Sequence, residues 1–401
     1  MKLNVLIFVE NLAVPFDRRV WMEANTLQSD GYQVHIICPR SKQHSRFKEE
    51  IFGIRIYRYP QFIEGRGSFG TLFEYAWAIF AMGVIAFLLS CSRKFKLVHV
   101  CNPPDILFVA ACAPQLIWKA KLIFDQHDIN PELWESKGHS RSDFLGRLLL
   151  MAERATYRRA KIVISTNESY REIAISRGGK SPNEVFVVRS APEESFAVEL
   201  LPETRSAQDA HKIVYIGTMG HQEGIDTLIK SISVLVKKMN RTYIQLDLIG
   251  DGPERRHLEK LAIDLGVSNQ IKFHGRVPDD DLRAIVLNAD IAVNPDRPSK
   301  MNELSSMNKI VEYMALGRPI VQFASLEGER TALEAAISVQ GANEEMLAIS
   351  LSELLDNKNA RSYMSIYGLD RFKSALSWEH QESQLILAYS MALGSKLQTN
   401  N

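Results

Sequence analysis

The residues best equipped for chemistry lie late in the chain, in Ser305-Ser306-Met307-Asn308-Lys309-Ile310-Val311-Glu312 and the run that follows to Val321. The pattern reads as a polar helix start, an amphipathic helix, a stop at Gly317 and a buried strand. N–H groups at a helix start, here near Ser306, Met307 and Asn308, favour phosphate, and Lys309 adds a cation. Glu312, one turn on, suits hydrogen bonds from ribose hydroxyls. Together these groups fit a nucleoside diphosphate.

Earlier loops carry the remaining candidates. After the first apolar run comes Asp17-Arg18-Arg19 with no Gly-x-Gly-x-x-Gly fingerprint, which argues against a dinucleotide there. Asp17 suits a helix N-cap, so Arg18 and Arg19 fall in the first turn and oppose the helix dipole. They are either contacts for donor phosphates or an anionic acceptor, or a solvated pair. The stretch Asp125-Gln126-His127-Asp128-Ile129-Asn130-Pro131-Glu132 ends another apolar run, where clustered ionisable groups make an active-site floor. His127 is its functional candidate, and further ligands at metal-binding spacing are missing. Gly217-Thr218-Met219-Gly220 sits between a strand and a helix, where glycine lets phosphate approach the backbone. Gly250-Asp251-Gly252-Pro253-Glu254 is a tight turn or a ligand contact. Arg276 and Val277, in His274-Gly275-Arg276-Val277-Pro278, are placed to frame a nucleobase. Asp279-Asp280-Asp281 reads as a helix N-terminus rather than a metal cluster.

These loops need a scaffold of alternating strands and helices. Strand candidates in the first half are 3–10, 33–39, 55–60, 97–102, 120–128, 161–167 and 184–190, mostly β-branched and continuously apolar, as in a sheet covered on both faces. Helices are expected at 18–30, 103–119 and 144–160. A polar stretch at 200–211 reads as a linker, after which the pattern restarts. Strands are expected at 212–217, 243–250, 270–274, 291–295 and 319–323, and helices at 225–240, 254–266, 279–289, 306–316 and 343–356. A last helix spans 377–393. The fold class is therefore α/β, with two doubly wound domains in tandem and a shared cleft at the strand carboxyl ends. The boundaries fall at 1–200, 201–376 and 377–401.

Composition adds constraints. A chain of 401 residues exceeds what one core supports, and 48 basic against 47 acidic residues exclude a global electrostatic case for nucleic acid. Cys38, Cys91, Cys101 and Cys112 are widely spaced and read as reduced thiols of a cytoplasmic protein. Residues 75–92 carry no charge and are followed by Arg93, Lys94 and Lys96. They form a helix buried in the fold, a helix touching lipid head groups, or a membrane span. On the second of these readings the region 75–96 makes a peripheral contact at the inner face of a membrane, and on the first it is simply buried.

As a set these motifs resemble the GT-B glycosyltransferases of family 4, the retaining "glycosyl transferases group 1", over nearly the whole chain. The resemblance rests on Asp17-Arg18-Arg19-Val20-Trp21-Met22-Glu23-Ala24, Gln126-His127-Asp128, the loops at 217–220, 250–254 and 275–278, and above all the block 308–321. It implies two Rossmann-like domains facing a central cleft, an N-terminal acceptor domain, a C-terminal donor domain and a final helix that crosses back. It also implies a hexosyltransferase-like enzyme that moves sugar from an NDP-sugar to a glycan or lipid-linked acceptor, in cell-surface polysaccharide synthesis. No metal and no cofactor beyond the donor substrate are expected. Within it Glu312 would hold the ribose, His127 would contact the transferred sugar, and Arg276–Val277 would lie beside the base.

The chain departs from the family pattern in three places. Leu304 stands where the first of two glutamates is usual, with Glu303 one place off. Thr218 and Glu223 replace an Arg and a Lys. Lys309 is then expected to balance the leaving diphosphate, helped by Arg18, Arg19, Arg297 or Lys300. The rival readings are an NDP-sugar epimerase or hydrolase using Asp125, Asp128 and Glu132, and a non-catalytic GT-B-like binding partner.

Overall fold

The computed structural model describes residues 2–61, 67–199 and 210–394. The chain divides into two compact units, Met1–Ser190 with Gln381–Asn401, and Ala191–His380. Most of the expected linker lies outside the described residues.

The first unit begins β1 (Asn4–Phe8), α1 (Arg18–Ser29), β2 (Gln33–Pro39), β3 (Lys48–Ile51), β4 (Ile54–Tyr59) and α2 (Gly67–Ser92). It continues β5 (Phe95–Cys101), α3 (Cys112–Trp118), β6 (Lys121–Gln126), α4 (Asn130–Ser136), α5 (Phe144–Arg159), β7 (Ile162–Ser165), α6 (Glu168–Ser176) and β8 (Val185–Val187). The sheet order is β3-β4-β2-β1-β5-β6-β7-β8, parallel except for β3. Val5, Leu6, Ile7 and Phe8 are all fully buried, because helices cover both faces. On one face Leu6, Phe8, Val98, Val100, Leu122 and Phe124 pack with α2 and with Tyr157 of α5. The alternate residues His99, Cys101 and Asp125 point the other way, toward α1 and the C-terminal helix.

The second unit runs β9 (His211–Ile216), α7 (Ile225–Lys237), β10 (Ile244–Ile249), α8 (Arg255–Asp264), β11 (Ile271–Gly275), α9 (Asp279–Leu287), β12 (Ile291–Asn294), α10 (Lys300–Leu304) and α11 (Asn308–Ala315). Then follow β13 (Ile320–Phe323), α12 (Leu326–Ala332), β14 (Ala336–Val339), α13 (Glu344–Asp356), α14 (Lys358–Arg371) and α15 (Trp378–Leu393). Its sheet is wholly parallel, β11-β10-β9-β12-β13-β14. From Gln381 onward α15 belongs to the first unit.

Three expectations need correction. The helix expected over 103–119 is a 3-10 turn, Leu107–Val109, followed by the short α3, because Pro103-Pro104-Asp105 occupies an irregular entry. The helix expected from Ser306 starts at Asn308, and Ser305 to Met307 form an extended link from α10. The apolar stretch at 75–92 is not enclosed as a buried helix would be, and its length and composition alone also suit a membrane span. Helix α2 packs Ala78, Met82, Ile85, Ala86 and Leu89 onto the sheet and leaves its opposite face exposed.

Candidate active-site residues

In an open parallel sheet the strand order reverses at one point, and the strand carboxyl ends there form the natural ligand site. In the first sheet that point lies between β1 and β5, with β6 adjacent. In the second it lies between β9 and β12. Each unit holds a buried ionic cluster at its own reversal.

In the first unit Asp17 caps α1 by accepting from the Val20 N–H at 3.1 Å, which fixes the helix entry. Arg19 therefore turns inward. Its Nε and Nη2 donate to the two Asp125 carboxylate oxygens at 3.0 and 2.7 Å, and Nη1 donates to the Val188 carbonyl at 2.8 Å. A further ion pair joins Arg19 to Glu23 at 3.1 Å. This corrects both readings of Arg19. It is not solvated, and its fork is closed on Asp125 rather than open to phosphate. Arg18 is exposed.

His127 shares this cluster. Its Nε2 donates to Asp125, so that nitrogen cannot also accept from Arg19 Nε, 3.2 Å away. Burial disfavours a charged ring, but the Asp125 carboxylate outweighs it and raises the His127 pKa. Burial would likewise raise Asp125, yet Arg19 and His127 hold it well below the usual carboxylate range. The ring keeps 18% of its surface open, so it can still donate to a ligand. Asn102, which the sequence did not single out, holds the loop in place. Its Oδ1 accepts from the His127 and Asp128 N–H groups at 2.7 and 3.1 Å, and its amide donates to the Asp128 carbonyl and to Asp105. Asp128 itself is half-buried, and burial raises its pKa.

Two further observations bear on the first unit. Glu10, two residues beyond β1, is 5% exposed, and is pushed by burial and by Glu74 to about 7. His99, Cys101 and Asp125 place donor atoms within 4.8 Å of one another. Arg19 already takes both Asp125 oxygens and Tyr389 takes His99 Nδ1 at 2.6 Å, so this donor set suits a guanidinium and not a metal ion. The carboxylates needed by the epimerase or hydrolase reading are divided as well. Glu132 is held by Arg177 at 2.7 and 3.1 Å and by Arg141 at 2.9 Å.

In the second unit Lys309 of α11 points back under the β9 loop. Its Nζ donates to Glu223 at 2.7 Å and Asp296 at 2.8 Å, and lies 4.8 Å from the Tyr215 ring centroid. Burial disfavours the ammonium, but the two carboxylates outweigh it and raise the Lys309 pKa. Two carboxylates face one ammonium, so burial and Glu223 push Asp296 to about 7 while Lys309 keeps Glu223 low. The sequence expectation of an uncompensated cation is therefore corrected. Glu223, in the place of the family's Lys, balances Lys309 directly. Arg297 is also committed, to Asp226 at 2.6 Å.

Around this cluster the backbone is drawn tight. Gly217 N–H donates to the Ile249 carbonyl, Met219 N–H to Asp251 and Gly250 N–H to Gly275. At Gly250, φ is +126° and a Cβ would fall 1.9 Å from the Gly217 oxygen, so only glycine fits. Thr218 is exposed at the loop tip and Gly220 is buried behind it. Arg276 is exposed, while Val277 packs beside the α11 core. At the start of α11, Met307 provides no side-chain cap for the first-turn amides; Asn308 is exposed, and Ser306 and Glu312 are half-buried. Glu303 accepts from the Leu326 N–H at 2.9 Å and so serves the start of α12.

Comparison with known proteins follows the same division. Residues 17–190 match the model described as "Glycosyl transferase 4-like domain", and residues 210–357 match "Glycosyl transferases group 1". An uncharacterized glycosyltransferase, MJ1607 of Methanocaldococcus jannaschii, is 24% identical over 57% of this chain and 62% of its own length. The lipopolysaccharide core biosynthesis glycosyltransferase LpsE of Rhizobium meliloti is 28% identical over 47% of this chain and 51% of its own. The chain thus spans between half and two thirds of these relatives. Among solved structures, sucrose-phosphate synthase of Thermosynechococcus elongatus superposes with a TM-score of 0.75 at 15% identity, covering 97% of this chain and 99% of that one. Anabaena HepE in complex with UDP-glucose gives 0.71 at 13% identity, covering 97% and 99%. At such identities the structures establish the fold, which is GT-B.

Proposed function

Because this chain belongs to the group 1 glycosyl transferases of the GT-B fold, we propose that it moves a sugar from an NDP-sugar to a glycan or lipid-linked acceptor, with retention, in cell-surface polysaccharide synthesis. The observation that carries the reading is the strand-order reversal of the second sheet. There the Gly217–Gly220 loop and the start of α11, whose next turn carries Glu312, meet at the Lys309–Glu223–Asp296 cluster. Helix-start amides take the diphosphate, Glu312 the ribose, and Arg276 with Val277 the base edge. His127 donates to a hydroxyl of the transferred sugar. HepE holds UDP-glucose, which favours a uridine nucleotide, and LpsE acts in lipopolysaccharide core biosynthesis, which favours a lipid-linked acceptor. The four free thiols suit work on the cytoplasmic side.

In the transition state negative charge gathers on the leaving diphosphate as the glycosidic bond breaks, and fixed donors already aimed there lower the barrier. Since Lys309 is balanced by Glu223, the α11 amides supply the uncompensated positive potential, and Lys309 fixes the loop that meets the phosphates. The test is a thermal-shift panel of NDP-sugars, followed by transfer of labelled sugar to extracted lipid-linked acceptor. Stabilisation by one donor with label in the lipid phase supports the reading. Sugar released or epimerised without acceptor would favour the hydrolase or epimerase, and neither binding nor transfer would leave a non-catalytic partner.

A further inference from the structure

The exposed side of the first unit's α2–α3–α5 layer is apolar where a water-facing layer should be polar. On α2, Phe73, Phe80, Val84 and Phe87 recur at helical spacing and are 70, 62, 43 and 53% exposed, with Leu88 at 60%. Leu116 of α3 is 81% exposed, and Phe144 and Met151 of α5 are 79 and 66% exposed. The inner faces of α2 and α5 share one core cluster with the residues between β5 and α3, so these helices lie in a row on the same sheet face.

All three helices are crossovers between parallel strands, so their C-termini run to the same edge of the sheet. That edge carries Arg93 and Lys94 after α2, Lys119 after α3, and Arg158 and Arg159 at the end of α5. Lys94 Nζ lies 5.9 Å from the Trp118 ring centroid, which joins the first two ends, and Arg159 lies 5.4 Å from the Phe108 ring. Residues 75–96, 106–121 and 154–161 contain no Asp or Glu. In a chain with 48 basic and 47 acidic residues, this is a local excess.

We propose that this face rests on an anionic bilayer, with Phe80, Phe87, Leu88 and Leu116 at the acyl boundary and the cationic edge among phosphate head groups. Helix dipoles account for cations at helix ends, but not for phenylalanines turned to water. A second copy docked with the two cationic edges together would set like charges against one another. An anionic lipid surface satisfies both features. The contact is one-sided, since the inner face of α2 is packed on the sheet. The inference stands apart from the transfer reaction.

The test is co-sedimentation of the full chain with phosphatidylcholine vesicles, with and without phosphatidylglycerol. The protein should pellet with the anionic vesicles, less so as salt rises. Phe80→Glu/Phe87→Glu should lower the bound fraction at least tenfold at an unchanged thermal midpoint, because both side chains are exposed. Lys94→Gln/Lys119→Gln should lower partition about fivefold per charge on anionic vesicles only. No pelleting at low salt, or pelleting indifferent to both variants, overturns the proposal. So does a solution dimer that Phe80→Glu/Phe87→Glu dissociates without any vesicle binding, which would assign the face to a second copy.

Discussion

Lys309 shows how a residue chosen for its charge can act through its neighbours. Buried between Glu223 and Asp296, it cannot be removed without leaving two carboxylates in a low-dielectric site. Lys309→Ala should therefore cost about 3–5 kcal/mol of stability. Adding Glu223→Gln should recover part of that, whereas Glu223→Gln alone should be mild. Urea denaturation of the three variants decides it, and an unchanged midpoint for Lys309→Ala would remove the cluster's structural role. Turnover of Lys309→Ala is informative only beside that measurement. His127 is different, since its ring is partly open and its backbone is held by Asn102. His127→Ala should keep the fold and lose about 10²–10³-fold in turnover. Glu10 supplies a pH signature. Its folded pKa of about 7 stands above its ordinary 4.5, so its contribution is fully present below 4.5 and lost as pH rises through 7. Glu10→Gln should remove a fall on the order of 3 kcal/mol across that window. A wild-type minus variant stability difference that stays flat from pH 4 to 8 would contradict the assignment.

At the level of elements, the parallel strands were legible because burial on both faces demands continuous apolar residues, as in Val5 to Phe8. β3, Lys48-Glu49-Glu50-Ile51, was not, because an antiparallel edge strand can carry charge on exposed positions. β14 is four residues long and half-buried over most of its length, which leaves little periodicity to read. The loops that follow β9, β10 and β11 were legible in sequence as strand-to-helix connections, but their mutual packing was not visible there. Nothing in Gly250-Asp251-Gly252 announces that its backbone lies against Gly217 and Met219. That contact makes a prediction about the element rather than the residue. Gly250→Ala should strain or displace the β9 and β10 loops together, at about 1–3 kcal/mol, since φ is +126° and the Gly217 oxygen blocks a methyl group. NDP-sugar affinity measured by calorimetry should fall at least tenfold with it. Unchanged affinity at reduced stability would detach these loops from the donor.

For the whole molecule, the consequential fact is that the last described helix belongs to the unit that holds the first strand. From Gln381, α15 supplies Leu385, Ala388, Tyr389 and Ala392 as buried residues of the first unit, and its polar contacts reach far back in sequence. Tyr389 OH pairs with His99 at 2.6 Å, Glu382 accepts from Thr26 at 2.7 Å, and the Arg189 N–H donates to Gln381 at 3.0 Å. Helical periodicity suggested the tail helix, but separations of 192 to 356 residues cannot be read from a local pattern. The same helix backs the sheet face that carries Asp125 and, through it, His127, so stability and the site's geometry share one support. Deleting residues 381–401 should remove on the order of 5 kcal/mol or more from the first unit, given about 1.5–3 kcal/mol for each large apolar side chain uncovered. That is comparable to a domain's whole stability of about 5–15 kcal/mol. The second unit, Ala191–His380, has its own cores and should be spared. Hydrogen exchange followed by mass spectrometry separates the two: protection should collapse in β1, β5 and β6 and persist in β9, β10 and β12. Uniform loss across both units would mean that the helix stabilises the chain as one cooperative body, and uniform retention would mean that the first unit folds without its last helix.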